Sequence, residues 1–251
     1  MYQKTRLDKL MEIISAKKTI SVNELIKKVY TSRSTLRRDL IKLEKENKIT
    51  RSFGQVEYVG GQNTEFGYEV RIKYHDKEKA YMAELASDFI GDGQAIFIDS
   101  STTCMHLVPF LKKKKNLIVI TNGIYLGAEL ASMPNIKTFM CGGRIRSMSG
   151  SILGNAPIEY MNNFRANLVF LSCEGIDERG IYMASEEQSL AKRAMLKSAD
   201  QTILMCDSSK VNKSDYFRMC AFSDIDTVIT DKKLPADLES KLESENTEVL
   251  C

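Results

Sequence analysis

Two strings in the sequence hold most of the side chains able to do chemistry. The first, Ser32-Arg33-Ser34-Thr35-Leu36-Arg37-Arg38, packs three guanidinium groups and three hydroxyls into seven residues. Guanidinium groups bond bidentately to guanine edges or to phosphates, and hydroxyls serve either, so this string suits a polyanion surface. Lys42, Lys45 and Arg51 follow, placed to neutralise phosphates. The second string, Asp99-Ser100-Ser101-Thr102-Thr103, lies between an apolar run and a helical one. Hydroxyls and backbone N–H groups at the start of a helix make a site for an anion. Lys210, closing Asp207-Ser208-Ser209-Lys210, adds a cation able to pair with a phosphate or a sugar hydroxyl.

The elements that must position these groups can be read from periodicity. Leu7, Leu10, Met11 and Ile14 fall on one helical face, and Val22, Leu25, Ile26 and Val29 repeat the spacing. Ser21 and Glu24 form a capping box for that second helix. A third helix begins at Ser32, a good N-cap, and turns Leu36, Leu40 and Leu43 inward. Two short helices with a tight connection match a helix-turn-helix. Two extended runs around Gly54 then predict a β-hairpin, a wing near Phe53-Gly54-Gln55. Residues 59–76, with Gly60, Gly61 and Gly67 and few apolar anchors, read as a linker. From residue 77 the pattern changes. Strand-like runs at 95–99, 117–121, 137–141, 168–172, 202–207 and 227–230 alternate with helical stretches at 78–90, 103–111, 124–131 and 186–199. The expected architecture is therefore α/β. A winged helix-turn-helix over 1–58 precedes a larger Rossmann-like α/β domain over 77–251, with a mostly parallel sheet.

Composition narrows the functional classes. Residues 1–60 carry 14 Lys+Arg against 7 Asp+Glu, a net of +7, which leaves −4 for the rest of a chain whose total is +3. A basic front joined to a mildly acidic body assigns the polyanion partner to the first sixty residues. No apolar run approaches the roughly eighteen residues that a membrane helix needs. The polar start, MYQKTRLDKL, is not a signal peptide, so a cytoplasmic setting is expected. Six cysteines include no C-x-x-C pair, and only two histidines accompany them, so no metal site is expected.

Residues 31–40, Thr-Ser-Arg-Ser-Thr-Leu-Arg-Arg-Asp-Leu, resemble the signature of the DeoR family of bacterial regulators. There a Ser caps the recognition helix, followed by Thr, an apolar residue and Arg-Arg-Asp-Leu. These are here Ser32, Thr35, Leu36, Arg37, Arg38, Asp39 and Leu40, with Leu43-Glu44 following. The family's wing reads Arg before His-Gly-Gly. Arg51 and Gly54 are kept, while Phe53 and Gln55 occupy the other wing positions. The resemblance covers about residues 3 to 232. It implies a sensor domain similar in fold to sugar-phosphate isomerases. Its phosphate loop, usually Asp-Ser-Gly-Thr-Thr, corresponds to Asp99–Thr103, with Ser101 replacing the glycine. Further matches fall at strand ends, where open α/β sheets bind ligands: Thr121-Asn122, Cys141-Gly142-Gly143 with Arg144 and Arg146 behind, Gly175-Ile176-Asp177, and Asp207 through Lys210.

The resulting DNA-binding set is Ser32, Arg33, Ser34, Thr35, Arg37, Arg38, Lys42 and Arg51. The effector set is Asp99, Ser100, Ser101, Thr102, Thr103, Thr121, Asn122, Gly142, Gly143, Arg146 and Lys210. The resemblance implies a regulator, usually a repressor, of a carbohydrate-metabolism operon, controlled by a phosphorylated sugar or related metabolite. Its partners would be double-stranded operator DNA and a second copy of itself, as a homodimer or homotetramer, with no membrane and no cofactor. The alternative is a sugar-phosphate isomerase-like enzyme with an accessory N-terminal module, using Asp99 and Lys210 for proton handling or phosphate binding. Against it, no second catalytic carboxylate motif stands out, and His75 and His106 form no recognisable constellation.

Overall fold

The computed structural model describes residues 3–46, 48–52, 54–58 and 67–251. The chain divides into two units, Met1–Thr64 and Glu65–Cys251. Among the described residues no helix is long and apolar enough to cross a membrane.

The first unit runs α1 (Gln3–Lys17), β1 (Thr19–Ser21), α2 (Val22–Val29), α3 (Arg33–Lys45), β2 (Ile49–Ser52) and β3 (Gln55–Tyr58). Its core is the set of residues that helical spacing picked out. Leu10, Met11 and Ile14 of α1 are buried with Leu25 and Val29 of α2 and with Leu36, Leu40 and Leu43 of α3. The Ser21 hydroxyl accepts from the Glu24 N–H at 3.2 Å, and the Ser32 hydroxyl accepts from the Thr35 N–H at 3.3 Å, so both serines cap their helices, while the Glu24 carboxylate pairs with Lys17 and does not close the expected capping box. Strands β2 and β3 pair antiparallel as the wing hairpin, and β1, which periodicity did not mark, joins β3 on its other side. Of the wing tip, Phe53 lies outside the described residues.

The second unit opens with α4 (Tyr68–Arg71) and α5 (Asp76–Ser87), then β4 (Ala95–Ile98), α6 (Thr102–Met105), α7 (Val108–Leu111), β5 (Leu117–Thr121), α8 (Ile124–Leu130) and β6 (Ile136–Met140). A hairpin, β7 (Arg144–Arg146) with β8 (Ser151–Leu153), precedes α9 (Asn155–Met161), β9 (Ala166–Ser172), β10 (Gly175–Asp177) and β11 (Gly180–Met183). It closes with α10 (Glu186–Lys197), β12 (Ala199–Met205), β13 (Phe217–Cys220), β14 (Thr227–Ile229), α11 (Ala236–Ser244) and β15 (Glu248–Leu250).

Seven strands form one sheet in the order β15-β14-β12-β9-β4-β5-β6, and every pairing in it is parallel. Counted from the first strand to enter, this is the order 3-2-1-4-5-6-7 of a doubly wound sheet. Alternate residues enter opposite cores: Phe97, Val169 and Leu171 on one face, Ile96, Ile98, Leu168 and Phe170 on the other. Burial on both faces is why these strands read as continuous apolar runs.

Two expectations need correction. The stretch 59–76 is not all linker, because residues 67–76 belong to the second unit. Tyr68 donates its N–H to the Met148 carbonyl at 2.7 Å and stacks on Tyr125 with ring centroids 4.0 Å apart. Residues 59–66 lie outside the described residues. The single helix expected over 103–111 is two short ones. Pro109 lacks an N–H, and its ring would meet the carbonyl four residues back, so the first helix stops before it.

Candidate functional site

The two faces of α3 differ sharply in burial. Leu36, Leu40 and Leu43 hold one face of the helix inside, while Arg33, Ser34, Arg37 and Arg38 are exposed on the other. Asp39 faces inward too, fully buried, and pairs with Arg6 of α1, whose Nη2 lies 3.2 Å from Oδ1. That ion pair links α3 to α1. Arg33 bonds the Asn23 side chain at 3.2 Å, and the Ser32 hydroxyl donates to that of Thr35 at 2.9 Å. Lys42 is exposed on the same helix. Arg51 is half-buried and holds Glu44, with Nε 2.9 Å from the carboxylate, so its guanidinium braces β2 against α3.

The second unit has a cavity of about 280 Å³ at the carboxyl ends of β4 and β9. These adjacent strands flank the point where the strand order reverses, the position where open α/β sheets take ligands. The wall is cationic. Arg71, Lys79, Lys192, Lys210 and Lys213 face it, against the carboxylates of Glu174 and Asp207. Ser100, Ser101, Thr102, Thr103 and Ser151 supply hydroxyls and N–H groups.

Asp99 sits beneath this wall, 1% exposed. Its carboxylate accepts the Ser101 and Ser172 N–H groups, each at 2.8 Å, and forms an ion pair with Lys192. Burial pushes the Asp99 carboxyl up, but the Lys192 ammonium outweighs it and holds the group below the usual carboxylate range. Asp99 thus fixes the loop and orients Lys192, which also donates to the Ser172 carbonyl at 2.8 Å. Lys79, 4% exposed, donates to the Thr102 hydroxyl at 3.0 Å and to the Arg71 carbonyl. Burial first, and the nearby Lys210 charge second, push its pKa down to about 8. Lys210 goes the other way. Burial lowers it, but Asp207, 3.7 Å away, and Glu174 prevail and raise it above the ordinary lysine value. It donates to the Ser172 hydroxyl at 3.2 Å. A site with more cations than carboxylates, one of them held near its point of deprotonation, gains by taking an anion.

Of the expected effector residues, Ser100 through Thr103 and Lys210 line this cavity, and Asp99 supports it from below. Thr121, Asn122, Gly142, Gly143 and Arg146 do not line it. The Thr121 hydroxyl accepts the Gly123 N–H at 3.0 Å, and Asn122 donates its side-chain NH2 to the Ile152 carbonyl and accepts the Ile152 N–H on its backbone carbonyl. These bonds pin β8 against the end of β5, which places Ser151 2.7 Å from Ser100. Gly143, at φ 142°, sits where a Cβ would come within 3.1 Å of Pro157 and Ile152, a packing reason for glycine. Arg146 is half-buried on β7, away from the cavity wall.

Sequence reasoning missed Arg71, Lys79, Lys192, Lys213, Glu174 and His75 on the wall. His106 is a bridging residue, 2.8 Å from the Thr102 carbonyl and 3.0 Å from Asp76. No group of His, Cys, Asp and Glu able to hold a metal ion occurs among the described residues.

Both units resemble known proteins. The family profile of the DeoR-like helix-turn-helix domain matches residues 6–61, and that of the DeoR C terminal sensor domain matches residues 74–232. The uncharacterised HTH-type transcriptional regulator YulB of Bacillus subtilis is 33% identical over 97% of this chain and 95% of its own length. The HTH-type transcriptional repressor GlcR of the same organism is 30% identical over 92% of this chain and 90% of its own. Among solved structures, ribose 5-phosphate isomerase A from Methanocaldococcus jannaschii aligns with a TM-score of 0.41 at 11% identity, over 55% of each chain.

Proposed function

The chain belongs to the DeoR family of helix-turn-helix transcriptional regulators, and from that premise we propose that it represses a carbohydrate operon under the control of a small phosphorylated metabolite. The observation that carries this reading is the cavity at the sheet's switch point, walled by five cations and two carboxylates. A phosphate there meets Lys79 and Lys210, with Thr102 and Thr103 hydroxyls beside them, and restores to Lys79 the favourable charge environment that burial removes. Glu174, Gln188 and His75 leave polar positions for sugar hydroxyls at the same wall.

Arg33, Ser34, Arg37 and Arg38 meet base edges and Lys42 meets phosphate in the major groove of operator DNA, in the cytoplasm. A homodimer or homotetramer presents recognition helices to two half-sites. Control follows from the path of the chain. The segment that enters the second unit after the connector carries Arg71, Tyr74, His75 and Lys79 into the cavity wall. A ligand held by these residues bears directly on the segment leading to the DNA-binding unit. It shifts the operator-binding population only through unequal affinity for the two states. The enzyme alternative gives way, since the relatives are named as regulators.

The test is fluorescence anisotropy of the full chain on DNA from upstream of its own gene. Expected is binding whose log affinity falls linearly with log salt, and preference for that DNA over a scrambled duplex. Equal, weak binding to both duplexes contradicts the proposal.

A further inference from the structure

One buried thiol, Cys173, lines the cavity, and a second, Cys206, stands beside it, neither with a part in the reading above. The register that pairs Met205 with Ser172 on adjacent parallel strands brings Cys206 beside Cys173 one step later. Their Sγ atoms are 3.5 Å apart, and Cys173 lines the cavity. Neighbouring strands lie about 4.8 Å apart, within the Cα separation that a disulfide spans. We propose that Cys173 and Cys206 form a modification site for hydroperoxides, oxidised to a disulfide by hydrogen peroxide or a small alkyl hydroperoxide that enters through the cavity mouth.

The chemistry balances in two steps. The Cys173 thiolate attacks the terminal peroxide oxygen. The S–O bond forms, the O–O bond breaks, and the departing oxyanion takes a proton from water. The Cys206 sulfur then attacks the sulfenic sulfur. The S–S bond forms, the S–O bond breaks, and hydroxide leaves with the Cys206 proton as water. Two thiols and one hydroperoxide give one disulfide, one alcohol or water, and one further water. In the thiolate state the Cys206 thiol donates to Cys173. That hydrogen bond lowers the Cys173 pKa against burial, with Lys210 helping. At the remaining buried cysteines desolvation prevails, pushing Cys104 well up, Cys141 up to about 11 and Cys220 up to about 12, whereas Cys206 is held protonated first by its hydrogen bond with Cys173, a hold that ends once Cys173 is oxidised. A thiol held protonated is a poor nucleophile.

The inference rests on the cavity and its thiols, and not on what anion the cavity takes. The experiment uses the full chain carrying Cys251→Ser, which removes the exposed thiol. Hydrogen peroxide treatment is followed by alkylation and peptide mass spectrometry. Expected is a Cys173–Cys206 cross-linked peptide that accumulates with peroxide and disappears with dithiothreitol. In a Cys206→Ser chain, dimedone should label Cys173. The proposal is overturned if the pair remains fully alkylatable after peroxide, or if Cys104, Cys141 and Cys220 oxidise as fast as Cys173.

Discussion

Replacing Lys192 with methionine removes the one ammonium paired with the buried Asp99 carboxylate, while keeping the length of the stem. Asp99 is 1% and Lys192 6% exposed, so water cannot substitute for the lost partner. The carboxylate keeps its two backbone donors, Ser101 and Ser172, but not its counter-charge. Removing one member of a buried pair costs about 3–5 kcal/mol. At roughly 2–4 °C per kcal/mol for a unit of this size, the second unit should melt about 6–20 °C lower. The pH dependence follows from the sign of the shift. The folded Asp99 value is depressed, so its stabilisation is present above the unfolded value of about 3.9 and is lost as pH falls through the lower folded value. In Lys192→Met the unpaired carboxyl takes up a proton more readily, so the deficit against the parent chain should shrink as pH falls from 7. Asp99→Asn with Lys192→Met leaves neither charge buried and should recover much of the loss. Denaturant unfolding, followed across pH, is the assay. A Lys192→Met cost below about 1 kcal/mol, or a deficit that does not change with pH, refutes the claim that this pair organises the cavity floor.

Three further outcomes are expected. Arg37→Ala and Arg38→Ala should each weaken operator binding by about 1–3 kcal/mol, roughly 5- to 150-fold, with the melting of the second unit unchanged. Anisotropy and thermal melts check this, and full affinity in both variants moves the DNA-reading surface elsewhere. Lys79 holds its proton only up to about pH 8, so inorganic phosphate should bind less tightly as pH rises past that value. Calorimetric titration reads this, and Lys79→Met should bind weakly with no such inflection. Because the unfolded lysine keeps its proton to about 10.4, the unliganded chain should gain stability between pH 8 and 10, and the gain should vanish in Lys79→Met. Thr102→Asp places a carboxylate beside Lys79 and should abolish stabilisation by phosphate in a thermal-shift assay.

Some of the site was legible in the sequence because its residues are contiguous. Ser32 and the leucines at 36, 40 and 43 announce a capped helix with one inward face, which forces Arg33, Arg37 and Arg38 outward. Asp99 through Thr103 bridge a strand end to a helix start, so local chemistry alone marks them. Lys79 and Lys192 come from distant helices and belong to no string. Their signal was register: Lys79 shares a face with Met82, Ala83 and Ala86, and Lys192 with Gln188, Ser189 and Met195, all buried. A lysine at an apolar register marks either a buried site or an error of assignment, and only the packing decides between them. Thr121, Asn122, Gly142 and Gly143 fall outside the cavity wall for a topological reason. They follow β5 and β6, on the far side of β4 from β9, so their strand ends lie beyond the switch point that the cavity occupies. Strand order is not readable from alternation of strands and helices alone. The pairing of Arg51 with Glu44 joins a strand to a helix seven residues earlier, and no local string marks it.

The central claim is that an anionic sugar held by the lysine wall changes the grip of the arginine helix on DNA. The most direct measurement is operator affinity of the full chain, by anisotropy, across matched pairs of phosphorylated and unphosphorylated sugars. At least one sugar phosphate should change the affinity fivefold or more, in line with typical coupling energies of about 1–3 kcal/mol. Its unphosphorylated partner should have no effect, and Lys210→Met should erase the response while leaving ligand-free DNA binding intact. A response of equal size to the unphosphorylated sugar, or one that survives Lys210→Met unchanged, contradicts the account.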